Sequence, residues 1–271
     1  VSRSAEPARV ALVLGGSNIT LGANGPPLYK LLEEMLNAAD AGEWAVRTAM
    51  ATPGRSMAQR ALAAVREHSP DAVVLAIPAA QFTYEFVVNR IRRRWPWLYR
   101  PALIFSQRLK AAAGGAGDEN VGPRGLLYRV PEQVALRLIG GEPFVSVEHA
   151  IANATEAIEA LAGLEDLALV VRQPVGGMRA TRARARRYDE RLQRFRSAIS
   201  GVCDRHRITS VDVASRLREA GLRSGFGADG IHLDDATRRF EAGLLTAAIL
   251  EAGGLAGHRL VSTKVPQPAP P

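Results

Sequence analysis

Ser17 stands at the end of Val10-Ala-Leu-Val-Leu14, directly after Gly15-Gly16. Five apolar residues of this kind read as a short buried strand. Paired glycines end a strand sharply where the backbone must turn tightly or approach another group. A hydroxyl just past a strand's C-terminal end lies where open α/β sheets hold their ligands. It becomes a nucleophile if a neighbouring base takes its proton. The same residues also describe a plain turn, so the serine needs partners elsewhere.

Asp229-Gly-Ile-His232 offers them. A serine hydrolase needs an imidazole as base and a carboxylate to orient it and support the imidazolium. An Asp three residues before a His, in a turn broken by Gly230, can aim its carboxylate at that ring. The plainer alternative is an N-cap for the following helix and a surface histidine. Pairing with Ser17 across an α/β core favours the triad. The other histidines have structural settings: His68 and His206 at helix ends, His149 at a helix start, His258 in the tail. Cys203, the single cysteine, reads as a small buried residue. No Cys/His cluster has metal-ligand spacing, so neither metal nor organic cofactor is expected. Gly15-Gly16-Ser17 with Gly22 does not make Gly-x-Gly-x-x-Gly, and no acid is placed for a ribose, which sets a dinucleotide site aside.

The intervening chain alternates strand and helix. Pro26-Pro27 lead a helix to about Ala39, and Trp44 to Met50 is a strand. Ser56 is placed to cap a helix ending near His68, and Ala72 to Ile77 reads as a doubly covered parallel strand. Residues 84–145 interrupt the pattern with an Arg- and aromatic-rich stretch, two short helices and a glycine-rich loop, Ala111 to Gly125. That is too long for a plain connection and predicts an inserted subdomain or lid. Order resumes with a helix over Val147–Ala162, a strand over Leu167–Val171 and a helix over Arg182–His206. A strand over Ile208–Val213, a short helix ending at Gly221 and a last helix from Asp235 to about Glu251 follow. One domain over residues 1–261 and a disordered Pro-rich tail over 262–271 are expected.

With these blocks in place, the chain resembles the SGNH hydrolases, the GDSL esterases and lipases. Gly15-Gly16-Ser17 matches their Gly-Asp-Ser block with Gly16 in place of Asp, and Asp229-Gly-Ile-His232 matches their Asp-x-x-His block. The resemblance covers most of residues 9 to 252 outside 84–145. It implies serine esterase activity on an acyl ester and a flavodoxin-like three-layer sandwich with five parallel strands, into which the 84–145 segment is inserted between strands 3 and 4. It further implies an oxyanion donor in the backbone N–H of Gly54, beside that of Ser17. The family's Gly-x-Asn block is replaced by Ile77-Pro-Ala-Ala-Gln81. Gln81 can present the same amide one methylene further out. Otherwise Asn18 substitutes, or the domain is a slow or inactive member. Acyl transfer by the same triad and a non-catalytic binding domain are the rival functions.

The net charge of +8 is carried by arginine, clustered in Arg90–Arg100 and again from Arg179 through Arg182, Arg184, Arg186 and Arg187. Solvated helix faces are favoured over nucleic-acid binding, and an acidic or phosphate-bearing partner at the first cluster is a minor expectation. No apolar run spans a membrane, so no membrane partner is expected. The N-terminal residues lack a signal's apolar middle and the cysteine content suits a reducing compartment, which favours the cytoplasm. The absence of an initiating Met leaves room for secretion by a removed signal.

Overall fold

The computed structural model describes residues 9–20, 25–40, 43–54, 56–101, 104, 134, 138, 140–176, 182–222, 225 and 233–254. Of residues 17, 18 and 182–184 it describes the backbone alone. Five strands form one parallel sheet: β1 (Arg9–Gly15), β2 (Trp44–Met50), β3 (Ala72–Ala76), β4 (Ala168–Arg172) and β5 (Thr209–Val211). Their spatial order is β2-β1-β3-β4-β5, the flavodoxin-like arrangement expected.

Period-two alternation divides β1 between two cores. Leu12 and Leu14 face one layer and Ala11 and Val13 the other, all without exposed surface. The first layer holds α3 (Met57–His68), α6 (Val147–Ala162) and α7 (Arg182–His206). The second holds α2 (Leu28–Ala39) and α9 (Asp235–Ala252). The leucines of α2 that drive this are 28, 31, 32 and 36, one stripe of a 3.6-residue repeat. On α7 the inward stripe is Tyr188, Leu192, Phe195, Ile199, Val202 and Cys203, with Phe195 stacked on Phe82 at 4.4 Å. Short helices α1 (Ser17–Thr20), α4 (Ala80–Thr83), α5 (Val87–Arg94) and α8 (Val213–Glu219) complete the regular structure named here. No described helix is long and apolar enough to cross a membrane.

Two local expectations are corrected. Ser56 precedes α3 as anticipated, but its φ of 70° is left-handed and its side chain makes no capping bond. β5 stops at Val211 because Asp212 accepts from the backbone N–H of Ser215 at 3.1 Å and starts α8 there. The chain beyond Gly16 is helical at once in α1. The loop Ala111–Gly125 and the tail lie outside the described residues.

The second arginine cluster does more than face solvent. Arg187 donates twice to Glu85, at 3.0 and 3.1 Å, and Arg191 donates to the same carboxylate at 2.9 Å and to the Thr83 carbonyl at 3.1 Å. These bonds fasten the segment after β3 to α7. Burial works to raise the Glu85 pKa, but the hydrogen bonds and charges of Arg187 and Arg191 outweigh it and hold the carboxyl below its ordinary value. A depressed carboxyl stabilises the fold fully above the ordinary carboxylate range and ceases to as pH falls through its lowered value. Glu85→Gln is therefore expected to flatten the acid limb of a stability–pH curve while leaving the shape near neutrality.

A second tie is fully buried. Arg172, at the end of β4, meets Glu241 of α9 at 2.6 Å, with 6% and 1% of their side chains exposed. Glu241→Ala should destabilise by about 3–5 kcal/mol, because it strands a buried guanidinium. The double change Arg172→Met with Glu241→Leu should restore most of that loss, as read by urea denaturation midpoints.

Candidate active site

Strand order reverses at β1: the chain leaves β1 for β2 on one side and returns to β3 on the other. The crevice at such a switch point, outside the C-terminal strand ends, is where open sheets bind ligands. In register, Leu14 lies beside Leu75 of β3 and Gly15 beside Met50 of β2. Ser17 therefore emerges two residues beyond the end of β1 at this edge. Gly54 follows β2 by four residues and Gln81 follows β3 by five, so all three belong to loops of the same edge.

The glycines before Ser17 have a steric cause. A Cβ on Gly15 would stand 2.8 Å from the Ala76 carbonyl oxygen and 2.0 Å from Cδ1 of Ile19. One on Gly16 would come 3.3 Å from Cβ of Pro78. The Gly15 carbonyl accepts from Ala51 at 3.0 Å and that of Gly16 from Ile19 at 3.1 Å, which turns the chain straight into α1. The ends of β1 and β3 are thus pressed together where Ser17 begins its helix.

Gly54 and Gln81 differ in their readiness as donors. The Gly54 N–H donates to the Thr52 carbonyl at 2.7 Å, closing a three-residue turn. Arg60 holds the same turn, donating to the Thr52 carbonyl at 3.3 Å and hydroxyl at 3.1 Å. In this arrangement that amide is committed to the protein. Gln81 is half-buried on α4, its carbonyl accepting from Val145 at 3.1 Å, and no described residue hydrogen-bonds its side-chain amide. Asn18 lies in α1, and its side chain is outside the description.

Asp229 and His232 lie outside the described residues, and so does their separation from Ser17. The helix that follows them is informative. α9 is capped by Asp234, whose carboxylate accepts from Thr237 N–H at 2.8 Å. Asp229 lies five positions upstream of that cap and is not the N-cap of the last helix. The cap is fixed at the start of α2, since Arg238 of α9 donates to the Pro26 carbonyl at 3.1 Å. α2 starts at the C-terminal edge of the sheet, as the element that follows β1 and its loop. The chain therefore enters α9, two residues after His232, at the edge carrying Ser17.

The other reactive residues have structural employment. Burial pushes the Cys203 thiol up to about 11 against a hydrogen bond from Ser210, so it carries no thiolate near neutral pH. His149 meets the Ser146 hydroxyl at 2.9 Å within the cap of α6. His206 stands 3.7 Å from Glu159. A depression of about 460 Å³ among Arg9, Trp44, Asp71 and Asp166 opens at the opposite, N-terminal edge of the sheet. It is remote from the switch point and holds none of the chemistry above. Sequence reasoning missed the Arg172–Glu241 pair, which fastens α9 beneath the site; the charge ending an otherwise apolar strand was its only signal.

No family model and no curated protein matches the chain. Solved structures do. A catalytic histidine-to-alanine mutant of an acetylxylan esterase from Geobacillus stearothermophilus matches 94% of this chain and 98% of its own, at 13% identity and a TM-score of 0.54. A catalytic aspartate-to-alanine mutant of that esterase matches over 92% and 95%, at 13% identity and a TM-score of 0.51. A lipase/acylhydrolase from Enterococcus faecalis matches over 90% and 95%, at 16% identity and a TM-score of 0.45. The chain thus shares the parallel α/β fold of the acetylxylan esterase.

Gly15→Ala is expected to lose roughly 1–3 kcal/mol of stability or more, because the Ala76 carbonyl it meets is backbone and cannot swing aside. Gly16→Ala should cost clearly less. Thermal melts of the two variants side by side check the ordering.

Proposed function

We propose that this protein is a serine esterase that hydrolyses a small-molecule carboxylic ester through an acyl-enzyme. Ser17 Oγ attacks the acyl carbonyl carbon while His232 takes its proton, and Asp229 fixes the imidazole tautomer and supports the imidazolium. The tetrahedral oxyanion collapses, and the leaving alcohol departs with the proton from His232. Water then attacks the acyl-serine, giving its proton to His232, and the acid is released as the Ser17 hydroxyl re-forms. The Gln81 amide and the Ser17 N–H stabilise the oxyanion, with Gly54 joining once its amide leaves Thr52.

The observation that supports this reading is that β1 delivers Ser17, and Asp234 opens α9, at the same edge of the sheet. The fold-matched acetylxylan esterase adds support, since its mutated catalytic aspartate and histidine are three positions apart, the spacing of Asp229 and His232. The engaged Gly54 amide favours a second reading, a slow or purely binding member of the fold.

A fluorophosphonate probe should label the wild type and not Ser17→Ala, with both folded by circular dichroism. Labelling of neither supports the binding reading. Labelling of both removes Ser17 as nucleophile.

On a p-nitrophenyl acetate assay, Gln81→Ala should lower kcat about a hundredfold with little change in KM. Gln81→Asn should fall between the two. If Asn18→Ala carries the loss instead, the donor is Asn18.

A further inference from the structure

We propose that the segment from Val87 to Pro101 docks peripherally on an anionic lipid surface, its arginines against headgroups and Trp97 and Leu98 at the acyl boundary. The sequence first sets this stretch apart. Between Glu85 and Asp118 there is no acidic residue, while Arg90, Arg92, Arg93, Arg94, Arg100, Arg108 and Lys110 are all basic. Trp95, Trp97, Leu98 and Tyr99 stand among them.

The structure adds exposure to composition. Arg92, Arg93 and Arg94 end α5 on the surface, and residues 96–101 continue as a helical turn. Trp97 is 74% exposed, Trp95 37% and Leu98 36%. Of these exposed arginines, only Arg93 has a carboxylate partner among the described residues, Glu142 at 3.0 Å. The Arg92 guanidinium lies over the Tyr99 ring at 6.0 Å, which keeps charge and aromatic surface together.

The base of the segment is fixed. Phe86 and Glu142 exchange backbone hydrogen bonds at 2.9 and 3.1 Å, and buried Asn89 donates to the Glu142 carbonyl at 3.3 Å. The segment is therefore presented on an anchored neck. Arginines mixed with Trp and Leu on a short surface helix form the signature of interfacial binding to acidic membranes. Phosphate contacts alone would explain the arginines, as in a nucleic-acid site, but not the exposed Trp97 and Leu98. Such docking needs no membrane span. It is independent of the esterase reading, although α5 starts four residues after α4, which carries Gln81.

The test is co-sedimentation of the full chain with vesicles of phosphatidylcholine alone or with one third phosphatidylglycerol, at physiological salt. Binding to the acidic vesicles should exceed that to neutral ones by at least about tenfold, with a blue shift of tryptophan emission. Arg92→Gln with Arg94→Gln and Arg100→Gln should weaken it about a hundredfold, at roughly fivefold for each charge. Trp97→Ser should weaken it about tenfold while keeping its salt dependence. Equal binding to both vesicle types overturns the proposal, as does full binding by Trp97→Ser. Tighter binding to an oligonucleotide than to vesicles, or a dimer abolished by Trp97→Ser without vesicle binding, also overturns it. Should the arginine variant fail to fold, Trp97→Ser and Leu98→Ser decide.

Discussion

The absence of a side chain at Gly15 is the constraint on which the site depends. β1 and β3 run side by side to Leu14 and Leu75, and just beyond them the Ala76 carbonyl and Ile19 fill the space a Cβ would need. Only because the two strand ends close up can the chain turn into α1 and leave Ser17 at the crevice. β1 is also the strand at which the order of the sheet reverses, so its two flanking connections leave on opposite faces. Steric closeness at one residue and topology of the whole sheet converge on the same point.

Arginine explains a second layer of organisation. The chain uses guanidinium groups as internal ties: Arg172 to Glu241, Arg187 and Arg191 to Glu85, Arg196 to the Pro174 carbonyl, Arg238 to that of Pro26. A planar fork with several donors can satisfy carbonyls and carboxylates that a single ammonium would leave unmet. The buried Arg172–Glu241 pair gains little net stability against well-packed apolar residues, because both ions lose water. The effect of these ties is to fix geometry, and that of Arg238 to Pro26 bears on the edge that carries Ser17. The arginines of α5 differ in kind. They lie outside the core and share their surface with exposed indoles.

Much of this was legible in the sequence. Helices α6 and α7 and strand β2 fall on the residues that periodicity and punctuation predict, because long amphipathic repeats and apolar runs are set by burial alone. The local misses share a cause: they depend on a competing hydrogen bond. Val213 has the side chain of a strand residue, but the Asp212 cap claims it for α8. Ser56 has a capping side chain, but its left-handed backbone takes the oxygen away from the helix. For the site, residue types pointed to Ser17 and the family resemblance to Gln81, and strand register supplies what neither could, namely that their loops share one edge. The Asp234 cap likewise releases Asp229 from the role that competed with chemistry.

The oxyanion donors pose the remaining physical question. An amide that already donates at 2.7 Å cannot also aim at a developing oxyanion, since a strong hydrogen bond needs the N–H near the acceptor line. Turning Gly54 outward breaks its bond to Thr52, and Arg60 is placed to compensate, because it already donates to the same carbonyl and would leave it satisfied. The same peptide carries the Pro53 carbonyl, which accepts from Asn153 Nδ2 at 3.3 Å, so turning the Gly54 amide also disturbs that bond. Release of the amide would leave the Thr52 carbonyl satisfied by Arg60. Under the proposed mechanism, Gln81 would supply one donor in place of the missing asparagine, and substrate binding would have to recruit the engaged Gly54 amide.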